Sequence, residues 1–336
     1  MAGQRRANQA DIAEHLGVSV STVSRALANE AGISEAVRRD VQRVALMLGY
    51  KSKHTPLPTA EDKRAVALVP LGGATGNLTS FYFGIVEGMR FEAAQCGIAL
   101  DVRLVNELSV TLEFIQRQIT KSDATGLLLA GIDASDELIA YTAEAGISTV
   151  LVNGTDPKMR LSSVAPANFF GAYMATKRLL DAGHRRILHY TFRQRPTIRE
   201  RLRGFERAIA DTPGAVGTVV NAADASTDEL MRDIQAGKYD VTAIFVWNDA
   251  VAVQMLEELL GEENPMPPGF SIIGFDDLPI AGIATPRLST MHVNRAAIGR
   301  SAIRLLAQQL TGEDAVQQLE VGVTPIDGET IFPVSS

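Results

Sequence analysis

The chain has one cysteine, Cys96, and no run of 18 apolar residues. A single thiol builds neither a disulfide framework nor a cysteine metal site, and it suits a reducing compartment. Without a long apolar run no membrane-spanning helix is expected. The opening residues MAGQRR lead into no apolar signal core, so the expected location is cytoplasmic. Phosphate-binding glycine patterns are also missing. Residues 72–76, GGATG, follow an apolar run but form neither G-x-G-x-x-G nor G-x-x-x-x-G-K-[ST], and they read as a turn. There is no G-x-S-x-G, and the five histidines (His15, His54, His184, His189, His292) have no metal-ligand spacing. Asp276 and Asp277 could serve as acid and base, but no second carboxylate pair or nucleophile accompanies them. No cofactor, metal or catalytic residue is therefore expected, and an enzyme is the weaker reading.

What is present is 336 residues, 46% of them hydrophobic, enough for two or three domains with a sizeable core. The net charge is −7, which looks wrong for a nucleic-acid binder. Its distribution says more. Residues 1–53 hold eight basic and five acidic side chains, a surplus of +3, which leaves −10 on the remainder. A basic head on an acidic body fits a small DNA-contacting module attached to something that does not touch phosphate, although such a surplus also arises by chance.

Three short helical patterns open the chain. Residues 9–16 put Ile12, Ala13 and Leu16 on one stripe, and Gly17-Val18 breaks it. Ser19 caps a second helix running to about residue 28, with Val23, Ala26 and Leu27 inward. Ser34 caps a third, with Val37, Val41, Val44, Ala45 and Leu48 inward, ending at Gly49-Tyr50. Residues 51–64 contain Pro56 and Pro58 and read as a linker. From residue 65 short apolar runs alternate with amphipathic stretches, in two tandem units at about 65–165 and 166–290. This predicts α/β layers with parallel sheets. The tail adds a helix at 295–310 and short extended pieces.

The head has helix-turn-helix spacing. Ala13 is small where two helices cross, Gly17 allows the turn, and Val23 plugs the space between the helices. The second helix presents Val20, Ser21, Thr22, Ser24 and Arg25, with Ser21 and Arg25 sharing a face. An arginine can fork onto guanine in the major groove, and hydroxyls can hold phosphates or base edges. A capped helix in a small bundle is the plain alternative. The stretch DIAEHLGVSVSTVSRALAN, then GIS, then VQRVALMLGY, resembles the head of the lactose-repressor (LacI/GalR) family. The resemblance implies that Val20, Ser21 and Arg25 meet base edges and that Ser19, Thr22 and Ser24 hold phosphates. The family usually places Asn at the position of Ala28; here Asn29 is next to it. After Tyr50 the family continues into a short hinge helix whose leucine wedges into the minor groove. Here two prolines oppose a helix, Thr59 stands where that leucine would be, and Leu57 lies two residues earlier. The expectation is no usual helical hinge, or Leu57 used from an extended strand.

The resemblance runs on through VALVP at 66–70, FYFGIVEG at 81–88, LDAGHRRI at 180–187, RLRGF at 201–205, AIFVWND at 243–249, SIIGFDD at 271–277 and PRLST at 286–290. It implies a two-lobed, periplasmic-binding-protein-like effector domain, with the first lobe at about 65–165 and 294–322 and the second at about 166–290 and 323–336. The residues agree physically. In open α/β sheets ligands bind beyond the carboxyl ends of the strands. Asn153, Asn248-Asp249 and Asp276-Asp277 each follow an apolar strand. Their side chains could pair with ligand hydroxyls or merely cap helices, Asp249 in particular. Arg201 could bridge hydroxyls or a carboxylate. Phe81 and Tyr82 could stack on a sugar or base face. By similarity, Asn153, Arg201, Asn248 and Asp276 contact the effector, with Phe81, Trp247 and Phe275 as apolar walls.

Residues 193–203 carry five arginines. They form either a solvated helix face or, if two or more face the cleft, a site for an anionic ligand such as a sugar phosphate. A transport binding protein would share the two-lobed fold, but the head and the lack of a signal argue against it. The reading is a transcription regulator, a repressor on a palindromic operator, controlled by a sugar-like effector. The resemblance implies a homodimer, and no heptad extension suggests a tetramer.

Overall fold

The computed structural model describes residues 8–27, 33–34, 37, 41, 44, 63–73, 79–192, 195–260, 269–313 and 315–334, the side chains of Leu27 and Leu108 excepted. Contacts divide the chain into two units, Met1–Asp62 and Lys63–Ser336.

In the first unit, helix α1 (Gln9–Leu16) starts at a reciprocal cap. The Asn8 side chain accepts from the Ala10 and Asp11 amides, and the Asp11 carboxylate accepts from the Asn8 amide at 2.7 Å. It stops at Gly17, whose φ of 64° is the left-handed turn that favours glycine. Helix α2 (Val20–Leu27) begins at Ser19, whose Oγ accepts from the Thr22 amide at 3.0 Å. Ile12, Ala13, Val23, Ala26, Val41 and Val44 close one small core, which is where the 3.6-residue period places them. Val37, Val41 and Val44 are helical, and the Val37 amide faces Ser34 Oγ at 3.4 Å. Asn29, Leu57 and the linker up to residue 62 lie outside the described residues, as do Ala45 and Leu48.

In the second unit, strands β1 (Arg64–Pro70), β2 (Ala99–Val105), β3 (Gly126–Ala130), β4 (Ser148–Val152) and β5 (Ser162–Pro166) join the late strand β11 (Gln318–Val321). They form a parallel sheet in the order β11-β5-β4-β3-β1-β2. A second parallel sheet has the order β7-β6-β8-β9, from β6 (Arg186–Thr191), β7 (Val216–Asn221), β8 (Ala243–Val246) and β9 (Ser271–Ile273). Strands β10 (Thr290–Val293) and β12 (Val323–Ile326) pair antiparallel. Sheets covered on both faces bury whole strands, which explains runs such as Gly126–Ala130 with every residue buried.

The first sheet is flanked by α3 (Phe81–Cys96), α4 (Leu112–Ser122), α5 (Asp136–Glu144) and the late α11 (Arg295–Gln309). The second unit continues with α6 (Asn168–Asp181), α7 (Pro196–Ala210), α8 (Thr227–Gln235), α9 (Asp249–Leu259) and the short α10 (Pro279–Ile283). Helix α3 packs on α11 at van der Waals limits. A Cβ on Gly88 would lie 2.2 Å from the Ala296 carbonyl oxygen, and one on Gly299 would lie 2.1 Å from that of Ile85. The chain leaves the first lobe after β5, returns through β10 into α11, and leaves again between β11 and β12. Residues far apart in sequence therefore meet where the lobes face each other. Among the described residues no helix is long and apolar enough to cross a membrane, and no group of three acidic, histidine or cysteine side chains is placed to hold a metal.

Candidate functional site

Two surfaces carry the expected chemistry, one in each unit. On the head, α2 turns an exposed polar face outward. Val20 is 47% exposed, and Ser21 and Arg25 are exposed beside it. Ser19 Oγ lies 2.8 Å from both Ser21 Oγ and Thr22 Oγ1, so the three hydroxyls form one cluster at the helix start. Thr22 and Ser24 are half-buried. A helix N-terminus with clustered hydroxyls is a favourable place for a phosphate.

In the two-lobed unit, the expected residues gather where the lobes meet. Arg201, on the second turn of α7, is 3% exposed. Its Nε donates to Asn168 Oδ1 at 2.9 Å, its Nη2 donates to Asp276 Oδ1 at 3.1 Å, and its Nη1 donates to the Trp247 carbonyl. The guanidinium lies 3.7 Å over the Phe275 ring. Burial pushes the arginine down and the Asp276 charge opposes that. Asp276 is 5% exposed and is raised by burial, against the pull of Arg201 and Arg295.

From the first lobe, Asn153 follows β4 with φ of 53°, a left-handed conformation that asparagine tolerates. Its Nδ2 donates to the Tyr82 hydroxyl at 3.0 Å. That hydroxyl fits because position 131 is glycine, at φ 63°; a Cβ there would overlap it. Arg195, the residue before α7, spans the lobes. It donates to the Tyr82 hydroxyl at 3.3 Å and the Asn153 carbonyl at 2.9 Å, and pairs with Asp133 at 3.5 Å. Two cavities border this cluster. One of about 430 Å³ is lined by Tyr82, Pro70 and Asn106, and one of about 450 Å³ by Asn168, Thr197 and Gly154. Both fall in the range of small-molecule sites. A larger cavity of about 600 Å³ lies on the outer edge of the second lobe near Asp224, Arg232 and Tyr239. Its charged side chains are exposed or half-buried, so it has none of the desolvated polar groups that define the cleft.

Several expectations change in detail. Asp249, read as either a ligand contact or a helix cap, is fully buried: its Oδ2 accepts from the Leu278 amide at 2.8 Å and its Oδ1 from Thr290 Oγ1 at 2.5 Å. Asn248 is the cap instead, its Oδ1 accepting from the Val251 amide at 2.9 Å. Phe275 is no wall; it is buried beneath Arg201 and supports it. Tyr82 is buried and offers its hydroxyl rather than its face, with Phe81 edge-on to it at 5.3 Å. Trp247 is half-buried against Tyr190 and Phe192. Of the five arginines, Arg195 and Arg201 face the cleft, Arg203 is an exposed partner of Glu200, and Arg193 lies outside the described residues. Arg195 as a bridge between lobes was not legible, because its partners lie 42 to 113 residues away in the chain.

Residues 10–53 match the bacterial regulatory proteins of the lacI family, and residues 176–331 match a periplasmic binding protein-like domain. The HTH-type transcriptional regulator CelR of Thermobifida fusca is 28% identical over 327 residues, covering 93% of this chain and 94% of its own. The HTH-type transcriptional repressor PurR of Haemophilus influenzae is 24% identical over 323 residues, covering 94% and 95%. A solved complex of CelR with cellobiose aligns at TM-score 0.68 and 26% identity, over 97% of this chain and all of that one. The lac repressor dimer bound to operator and an anti-inducer aligns at TM-score 0.65 and 19% identity, over 98% and 100%. A helix-turn-helix head followed by a two-lobed binding domain makes this protein a DNA-binding transcription regulator and not an enzyme. The chain carries a lacI-family helix-turn-helix domain followed by a periplasmic-binding-protein-like domain.

Asp249 gives a test of the buried cluster. Burial and the neighbouring Asp276 charge raise it well above 3.8, although Thr290 and the Leu278 amide pull it down. The folded protein therefore holds this proton to higher pH than the unfolded chain. That proton favours folding below the unfolded pKa, and the advantage fades as pH climbs through the raised folded value. Asp249→Asn removes the titration. Urea unfolding from pH 4 to pH 8 should show wild-type stability falling relative to the variant as pH rises. Wild-type stability that rises relative to the variant as pH rises would contradict this assignment.

Proposed function

We propose that this regulator is a homodimeric repressor whose operator affinity is set by a neutral, hydroxyl-rich molecule, a sugar or sugar derivative, bound between the two lobes. The observation that carries the reading is the buried Arg201–Asp276 pair facing Asn153 and Tyr82 of the other lobe. Such groups hydrogen-bond hydroxyls in a site where water is scarce. The charges favour a neutral ligand, because Arg201 and Arg195 already have carboxylates, Asp276 and Asp133. The CelR–cellobiose complex supports the same class.

In this reading Arg201 and Asp276 fix adjacent hydroxyls, Asn153 and the Asn248 amide nitrogen add donors, and Trp247 and Phe81 supply apolar faces. Residues 1–50 form the DNA-binding head and 51–62 the linker; the effector domain begins at Lys63, two residues earlier than the sequence reading placed it, because β1 starts at Arg64. Val20, Ser21 and Arg25 read base edges, while Ser19, Thr22, Ser24 and Asn29 hold the backbone. Leu57 is the linker side chain that would reach the minor groove. Two heads on a two-fold axis meet a palindromic operator. The protein acts in the cytoplasm. Effector closes the lobes and shifts operator affinity by a coupling free energy of roughly 1–3 kcal/mol.

A thermal-shift panel of sugars, sugar phosphates, sugar acids and nucleobases tests the effector class. A neutral sugar at 100 times its Kd should add about 2.7 kcal/mol of stability, and Asp276→Asn should abolish that gain. A hit confined to phosphates, acids or nucleobases would overturn the class. For the head, Arg25→Ala should cost about 1–3 kcal/mol of operator binding and relax preference at one base pair. Unchanged sequence preference in a binding-site selection would remove Arg25 from base reading.

A further inference from the structure

The acceptor Asp276 sits on an unusual piece of backbone. Asp276 has φ of 112° and Asp277 of 51°, two consecutive non-glycine residues in the region that favours glycine. Such conformations cost of order 1–3 kcal/mol each and persist only when the surroundings fix them. Part of the fixing is local to the second lobe. The Asp276 amide donates to the Met291 carbonyl at 2.9 Å, and the Leu278 amide donates to Asp249. The Val293 amide also donates to the Asp276 carbonyl at 3.5 Å, and the Asp277 amide to Thr290 Oγ1 at 3.4 Å. A further tie comes from the first lobe. Arg295, the first residue of α11, sends Nη1 to the Asp276 carbonyl at 2.7 Å and to the Asp277 carbonyl at 3.1 Å.

Arg295 is itself held from behind. Its stem crosses α3 at Gly84, where a Cβ would lie 3.1 Å from Arg295 Cβ and 3.5 Å from its Nε. Helix α3 is the helix that begins with Phe81 and Tyr82. One side chain thus ties the α3–α11 pair of the first lobe to the turn that presents Asp276 in the second. Its charge also pulls the Asp276 carboxyl down, against the burial that raises it. The other groups facing this turn are Asp249 and Thr290 below it, Arg201 in front, and His292, whose Nδ1 is 2.8 Å from Asp277 Oδ2.

We propose that Arg295 is a positioning residue of the effector cleft. By clamping the carbonyls of Asp276 and Asp277 it sets the direction of the Asp276 carboxylate, and it makes that direction depend on how the first lobe is placed. The proposal rests on the reading that Asp276 accepts an effector hydroxyl, but its test needs no effector.

The test is hydrogen–deuterium exchange on the full-length protein, comparing wild type with Arg295→Met and Arg295→Lys. Methionine keeps an unbranched apolar stem and removes the donors; lysine returns one cationic donor. Peptides covering residues 275–279 should exchange about ten-fold faster or more in Arg295→Met, a local opening in the sense of sub-global exchange. They should return most of the way to wild type in Arg295→Lys, while peptides from α1 and α2 stay unchanged. If Arg295→Met fails to fold, Gly84→Ala replaces it, since the added Cβ presses on the Arg295 stem, and the same peptides should loosen. Unchanged exchange at 275–279 in the donor-less variant, or acceleration that lysine does not restore, would overturn the proposal. A failure here leaves the effector panel untouched, and a failed panel leaves this exchange pattern untouched.

Discussion

A guanidinium taken out of water must be matched on every side, and the cleft of this regulator is organised around one. Arg201 is held by Asn168, the Trp247 carbonyl, and the adjacent Phe275 and Asp276, from three segments of the second lobe. Burying such a pair yields little net stability, but removing one partner typically costs about 3–5 kcal/mol because the other charge is left stranded. The pair therefore fixes the ends of β8 and β9, the start of α6 and the second turn of α7 relative to each other. A ligand that meets Arg201 and Asp276 meets groups whose positions are already set, which lowers the ordering cost of binding.

The other half of the cleft comes from the first lobe, and two arginines tie the halves together. Arg195 reaches from the second lobe to Tyr82, Asn153 and Asp133. Arg295 reaches from the first lobe to the backbone of Asp276 and Asp277. Two ties running in opposite directions make each lobe's ligand groups sensitive to where the other lobe stands. That is the structural requirement for a site whose occupancy is to be felt elsewhere in the protein.

How much of this the sequence disclosed follows from the range of the interactions. The head was legible because its rules are local: Ala13, Gly17 and Val23 lie within one supersecondary unit, and their burial and turn follow from helical period and glycine conformation. Strand-end polar residues were legible because a parallel sheet places them at one edge, so Asn153 and Asp276 emerged as cleft residues. Adjacent residues were harder. Whether Asn248 or Asp249 caps α9 depends on where one residue leaves the extended region, which period and composition do not encode. Phe275 read as a wall because apolar character does not say which face of a charge it covers. Arg195, Arg295 and the Gly88–Gly299 approach could not be read, since each joins segments brought together only by the chain's passages between the lobes.

The account stands on effector and operator being linked through the cleft, and linkage is reciprocal. The most direct measurement is the affinity of the sugar found in the thermal-shift panel for the protein alone and for the protein saturated with operator DNA. It is paired with operator affinity with and without that sugar. The account predicts one factor, of about 5- to 150-fold, appearing equally in both experiments and lost in Asp276→Asn. Equal sugar affinity in the free and operator-bound protein would contradict it.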